Sequence, residues 1–216
     1  MSDYGFRVTN EDNEVQIDGI YQNYSLEVSG SISNLSFLSS VVSIANNTNP
    51  PIAMVRPTSG IDRGCGVFDI SYSDPNYTGV RFFGGSSASD TCSFDYKIFT
   101  VQDKSSEDYG LRIYNDSEKL VFDSGYTPFK ILETGAASLD TTYTHASYSN
   151  PYYMASPFQR RYVGQPPPRP VLIASLGLAK QSATSVKPIW ILIGGTDPAG
   201  TFDQNTGTNV TLIVCE

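Results

Sequence analysis

Apolar and polar residues alternate in short runs along most of the chain, the two-residue period of a strand with one buried face. Phe6 and Val8, then Val15 and Ile17, mark two short strands, with Asn10-Glu11-Asp12-Asn13 as the turn between them. Ser25-Leu26-Glu27-Val28-Ser29 alternates cleanly, and the Ser-rich stretch 32–44 predicts one bent strand or two. Runs at 52–55, 67–70, 80–83 and 94–101 follow, each bounded by Gly, Pro, Asp or Asn. The best helical signal, 176–181, is too short and lies between strand-like runs. The pattern predicts an all-β fold.

The pattern also repeats. Tyr4-Gly5-Phe6-Arg7-Val8-Thr9-Asn10, then Val15-Gln16-Ile17-Asp18, Tyr21 and Gly30, recur as Tyr109-Gly110-Leu111-Arg112-Ile113-Tyr114-Asn115, then Leu120-Val121-Phe122-Asp123, Tyr126 and Gly135, at a constant offset of 105 (109 − 4). That offset has the size of a domain rather than of a solenoid repeat. Later matches need gaps: Pro170-Val171-Leu172-Ile173 resembles Pro51-Ile52-Ala53-Met54, residues 190–193 echo 68–71, and 210–215 close the chain as 96–101 close the first copy. The expectation is two tandem, related β-sandwich-like domains, 1–104 and 105–216, each with its own core and joined by the polar segment 103–108. Tyr4-Gly5 and Tyr109-Gly110 read as structural: the glycine for an unusual backbone angle, the tyrosine packing its ring while its hydroxyl finds a partner.

Residues 143–170 break the repeat. They carry Tyr143, Tyr148, Tyr152, Tyr153, Phe158 and Tyr162, with Pro151, Pro157 and Pro166-Pro167-Pro168. A connection this long and aromatic either packs back on its own sandwich or crosses a neighbour. An insertion confined to one copy favours a neighbour, so Tyr148, Tyr152, Tyr153, Phe158, Arg160, Arg161 and Tyr162 are the candidate partner-binding residues.

Charge narrows the partners. Charged residues are 17% of the chain and the formal net charge is −8. Arg160-Arg161, with Arg169 nearby, is the only basic cluster, so nucleic acid is not an expected partner. No apolar run reaches the ~18 residues that cross a bilayer, and no export signal is evident at the N-terminus, so a soluble product of the cytoplasm is expected. Cys65, Cys92 and Cys215 do not form a disulfide framework or a CxxC pair.

The chemical inventory is thin. His145 is the one histidine and reads as a surface loop residue without a nucleophile motif beside it. Gly64-Cys65-Gly66 and Gly84-Gly85 read as turns. Asp18 and Asp123 occupy equivalent places in the two copies. A pair among Asp18, Asp69, Asp95 and Asp123 could serve a glycosidase, or such carboxylates could ligate Ca²⁺, but turn chemistry explains duplicated aspartates more simply. No catalytic, cofactor-binding or metal-binding residues are expected.

The opening Tyr-Gly-Phe-Arg-Val-x-Asn…Val-x-Ile-Asp, and more closely Tyr109-Gly-Leu-Arg-Ile-Tyr-Asn-Asp-Ser-Glu-Lys-Leu-Val-Phe-Asp-Ser, resembles small, mostly uncharacterised proteins of tailed bacteriophages encoded in the tail-tip and tail-fibre region. The resemblance spans 4–30 and 109–135. It implies a non-enzymatic virion structural protein, a tail-tip, collar or fibre-associated component assembled in the host cytoplasm. Its partners would be other virion proteins and further copies of itself in a homo-oligomer. The alternatives are a module for a host surface receptor or glycan, with Tyr148, Tyr152, Tyr153 and Trp190 as stacking platforms, and a head decoration protein. A glycan hydrolase ranks last.

Overall fold

The computed structural model describes residues 7–9, 15–18, 22–36, 39–59, 63–85, 91–102, 109–145, 148–156, 160–163, 172–192 and 209–216, with side chains outside 1–21, 36–39, 156–175 and 190–209. These residues form strands and no helix. In chain order they are β1 (Arg7–Thr9), β2 (Val15–Asp18), β3 (Tyr24–Ser36), β4 (Ser39–Asn47), β5 (Ile52–Pro57), β6 (Gly64–Ser73), β7 (Asn76–Gly84) and β8 (Thr91–Val101), then β9 (Arg112–Tyr114), β10 (Leu120–Asp123), β11 (Ile131–Ser138), β12 (Tyr143–Thr144), β13 (Tyr152–Ser156), β14 (Arg160–Val163), β15 (Leu172–Ser182), β16 (Ser185–Leu192) and β17 (Asn209–Cys215). The stretch 32–44 divides at 37–38 into β3 and β4, and the weak helical signal at 176–181 lies within β15. The predicted link at 103–108 lies outside the described residues.

The sequence repeat is visible in the hairpins. β1 pairs β2 as Arg7↔Asp18, Val8↔Ile17 and Thr9↔Val15, with a register shift after Val8. β9 pairs β10 as Arg112↔Asp123, Ile113↔Phe122 and Tyr114↔Leu120, with a register shift between Leu120 and Phe122. Adding 105 to every position of the first ladder gives the second, bulge included.

The sheets carry the same order twice. The first runs β11-β17-β13-β5-β8-β3 and the second β12-β16-β15-β6-β7-β4, with β14 attached to β15. Each half of the chain visits the edge of sheet one, the edge of sheet two, the two centres, and then the middle of sheet two and of sheet one. The central strands of the halves meet antiparallel, Tyr153↔Val55 in sheet one and Leu178↔Cys65 with Ala179↔Gly64 in sheet two.

The expected boundary at 104/105 therefore does not divide the core. Ala53, Val55, Cys65, Val80, Phe82, Phe94 and Ile98 from one half pack in a single buried cluster with Tyr153, Leu176, Leu178, Val186, Leu212 and Val214 from the other. Strand alternation puts these residues inward. Three register pairs join the central strands of the halves, and the Ser25↔Pro128 bridge with a few backbone hydrogen bonds joins their edge segments. Each net backbone hydrogen bond contributes about 1 kcal/mol, whereas each fully buried Val, Leu or Phe contributes about 1.5–3 kcal/mol. Side-chain burial holds the seam.

The topology also corrects the gapped part of the repeat. The counterpart of β5 is β13, not 170–173, and the counterpart of β6 is β15, not 190–193. The Tyr-rich stretch thus contains β12 and β13 at the places of β4 and β5, with β14 as the addition. Only the match of 210–215 to 96–101 keeps its place, as β17 and β8.

Outside sheet one, a second small core forms. Met54, Phe99 and Cys215 are buried there, with Tyr24, Leu26, Ile52, Phe129, Tyr152 and Ile213 around them. The segments entering the edge strands meet over this face: Leu26 N–H donates to Thr127 O at 2.8 Å and Phe129 N–H to Tyr24 O at 2.9 Å. Phe99 and Phe129 touch edge-on at 5.3 Å.

Candidate contact surface

The described part of the Tyr-rich segment packs on its own sandwich. Tyr153 is 3% exposed and belongs to the central cluster, so it cannot dock a partner, because its ring is already enclosed. His145 is buried, not on the surface, between the rings of Tyr148 and Tyr153 at 6.3 and 5.7 Å. Its Nε2 lies 2.6 Å from Tyr153 Oη, and its Nδ1 has no partner among the described residues. Burial pushes the imidazole pKa below the usual histidine range, more than the Glu133 charge raises it.

Tyr143 and Tyr148 lean on the same core. The Tyr143 hydroxyl donates to Glu133 Oε1. Burial, and then the hydrogen bond and charge of Glu133, push that phenol up to about 12. The Tyr148 hydroxyl donates to Leu132 O at 3.3 Å. The ring of Tyr143 fills the space that Gly135 leaves open, just as Tyr96 covers Gly30, where an added Cβ would stand 2.6 Å from the phenol oxygen. The recurrence of Gly30 as Gly135 has this packing reason.

Tyr152 faces outward but is covered. The Arg56 guanidinium sits 4.7 Å and the Lys97 ammonium 4.8 Å from its ring centre, both within cation–π range. Arg56 also donates to Asp95 Oδ2 through Nε at 3.0 Å and Nη2 at 2.6 Å, and through Nη1 to Asn150 O at 3.2 Å. The Ser31 hydroxyl holds the other Asp95 oxygen at 2.5 Å. Burial would raise the Asp95 pKa, but Ser31 and Arg56 outweigh it and hold the carboxyl below its usual range. Arg56 on β5 thus fastens both halves across the outside of the seam. Phe158, Arg160, Arg161, Tyr162 and Trp190 have side chains outside the described residues; the backbone of Arg160–Val163 pairs with β15.

Asp69 and Asp123, also considered for catalysis, are likewise tied to arginines. Asp69 faces Arg81 at 3.6 Å. Asp123, whose side chain is fully buried, meets Arg112 at 3.3 Å and accepts the Gly125 N–H at 2.8 Å. Arg112 and Asp123 are register partners, as are Arg7 and Asp18, which explains the duplicated aspartate. The Asp18 side chain lies outside the described residues. Among the described residues no group of three His, Cys, Asp or Glu side chains could hold a metal ion.

No protein-family model, curated protein or solved structure matches the chain.

Among the described residues the large exposed apolar side chains are Val41, Tyr72, Ile131 and three at the second hairpin. Tyr109 is 83%, Leu111 51% and Tyr114 53% exposed. Tyr109 does not pack its ring as expected, since it precedes the strand and projects beyond it. Gly110 has φ 141°, an angle that suits glycine, and a Cβ there would stand 2.8 Å from Ser124 Oγ. The hairpin is anchored from beneath by Leu120, Val121 and Asp123, all buried, and by Asn23 N–H donating to Val121 O at 3.1 Å. Its base is fixed while Tyr109, Leu111 and Tyr114 stay exposed. The sequence holds that signal in the run Tyr109-Gly110-Leu111-Arg112-Ile113-Tyr114, where apolar residues recur on both faces of a two-stranded element that can bury only one.

Proposed function

We propose that this chain is a non-catalytic structural component of a bacteriophage virion, placed in the tail as a tail-tip, collar or fibre-associated subunit. It acts by protein–protein contact with neighbouring virion proteins and with further copies of itself. The observation that carries this reading is the anchored hairpin with Tyr109, Leu111 and Tyr114 exposed, because exposed apolar side chains on an anchored element suit protein–protein contact. The resemblance of Tyr109-Gly-Leu-Arg-Ile-Tyr-Asn to phage tail-region proteins supplies the setting. The carboxylates of Asp69, Asp95 and Asp123 support a scaffold role, since each is occupied by an arginine partner. A glycan-binding module draws less support: Tyr153 is enclosed and Tyr152 is covered by Arg56 and Lys97.

The test is mass spectrometry of purified particles together with a Leu111→Ser/Tyr114→Ser double variant. The chain is expected in the particle, and the variant is expected to fold normally yet be lost from it. Absence of the wild-type chain from purified virions overturns the reading.

A further inference from the structure

Two of the three cysteines are placed to react with each other. Cys65 is the second residue of β6 in sheet two, and Cys92 the second residue of β8 in sheet one. Both point into the space between the sheets and both are fully buried in the same cluster. Packing holds them close. Gly84 is the register partner of Cys65 on β7, and a Cβ built on it would stand 3.1 Å from the Cys92 Cβ. Cys92 Sγ lies 3.6 Å from the carbonyl of Arg63, two residues before Cys65, and accepts the Ser59 hydroxyl at 3.5 Å. Cys65 Sγ lies 3.9 Å from Leu178 O, on the strand across the seam. Cys215 belongs to the separate core outside sheet one, with Met54 and Phe99, and cannot join this pair.

We propose that Cys65 and Cys92 are a redox couple that closes into a disulfide between the two sheets when the protein meets a low-molecular-weight disulfide. The two thiols are prepared for different steps. Cys92 is brought down to about 7, chiefly by the hydrogen bond from Cys65; burial opposes this, and the Ser59 hydroxyl, the Gly85 N–H and the Arg63 charge assist. Burial pushes Cys65 well above the ordinary thiol range. Cys92 therefore attacks as the thiolate, bonding to one sulfur of the reagent RSSR and expelling RS⁻. Cys65 then gives its proton to that RS⁻ and attacks the Cys92 sulfur. The second RS⁻ leaves and takes from solvent the proton that Cys92 had released. Two protein thiols are oxidised by two electrons, and RSSR is reduced to two RSH. Both cysteines lie one residue inside a strand end, so fraying of those ends admits the reagent without global unfolding. A reducing compartment keeps the pair open and an oxidising medium closes it. The inference stands whether or not the chain is a virion component.

The experiment treats the folded full chain with oxidised glutathione, then alkylates and weighs it under denaturing conditions. The expected product takes up one alkyl group, on Cys215, where the reduced chain takes up three, with a peptide map joining Cys65 to Cys92 and a Tm raised by roughly 5 °C or more, reversed by dithiothreitol. Cys215→Ser keeps the change, and Cys65→Ser and Cys92→Ser each abolish it. Since either of the latter could disturb the core, the wild-type peptide map is decisive in its own right. Three free thiols after equilibration, a bond through Cys215, or a stable glutathione adduct on Cys92 would each overturn the proposal.

Discussion

At the scale of single residues, the surroundings of particular buried groups have measurable consequences. His145 is the clearest case. With its pKa lowered below 6.5 by burial, the folded state prefers the neutral ring while the unfolded chain still binds a proton. Stability is therefore complete above the unfolded value and falls as pH drops from 6.5 through the lower folded value. Urea titrations at pH 8 and pH 5.5 should show wild type losing stability between them and His145→Asn losing less. Gly135 gives a steric counterpart. Alanine there would press on the Tyr143 ring, so Gly135→Ala should cost about 1–3 kcal/mol, and Gly135→Ala with Tyr143→Leu should recover part of it. A double-mutant cycle in denaturant measures the coupling.

At the scale of elements, the hairpin β9–β10 is a small unit fixed by one ion pair and a few apolar contacts. Removing the Arg112 guanidinium leaves Asp123 buried without its cation, a loss of about 2–4 kcal/mol. Arg112→Ala should therefore raise amide exchange across 112–123 while the central strands stay protected, as exchange followed by NMR would show. This element was also the most legible in the sequence. Its alternation, turn and Arg/Asp ends appear at a fixed offset, and the ladder obeys that offset through its bulge. The strands of the central sheets were legible as strands but not as partners. Alternation says which face is buried, not which strand lies alongside, and the seam joins Val55 to Tyr153 and Cys65 to Leu178 over long separations. The counterparts of β4 and β5 were hidden because β12 retains only two residues and because tyrosines stand where the first copy has small or aliphatic side chains. Tyr153 and His145 fill the interior, although aromatic residues in a loop-like run suggested exposure; the side chains of Phe158, Arg160, Arg161 and Tyr162 lie outside the described residues.

At the scale of the whole molecule, two like halves share one core, and that predicts how the protein comes apart. Residues 1–104 produced alone would expose Val55 on β5 and Cys65 on β6 along unpaired central edges, and should fail to give a dispersed NMR spectrum as a monomer. Full-length protein should unfold in one transition by both far-UV circular dichroism and tyrosine fluorescence. The outer clasp is secondary to this core. Because Arg56 is about a third exposed (34%) and its partner Asp95 less so (18%), solvent screens the pair, and Arg56→Ala should cost only about 1 kcal/mol, against about 2–5 kcal/mol for Leu178→Ala at the seam. Thermal melts of both variants check that order.

The palindromic strand order means that one polypeptide accomplishes what a symmetric pair of subunits would otherwise have to do by finding each other. Covalent linkage holds the halves at a high effective concentration, so dilution does not loosen the joint, as it would for a dimer of separate chains. Differences between the halves can then serve one flank without weakening the other.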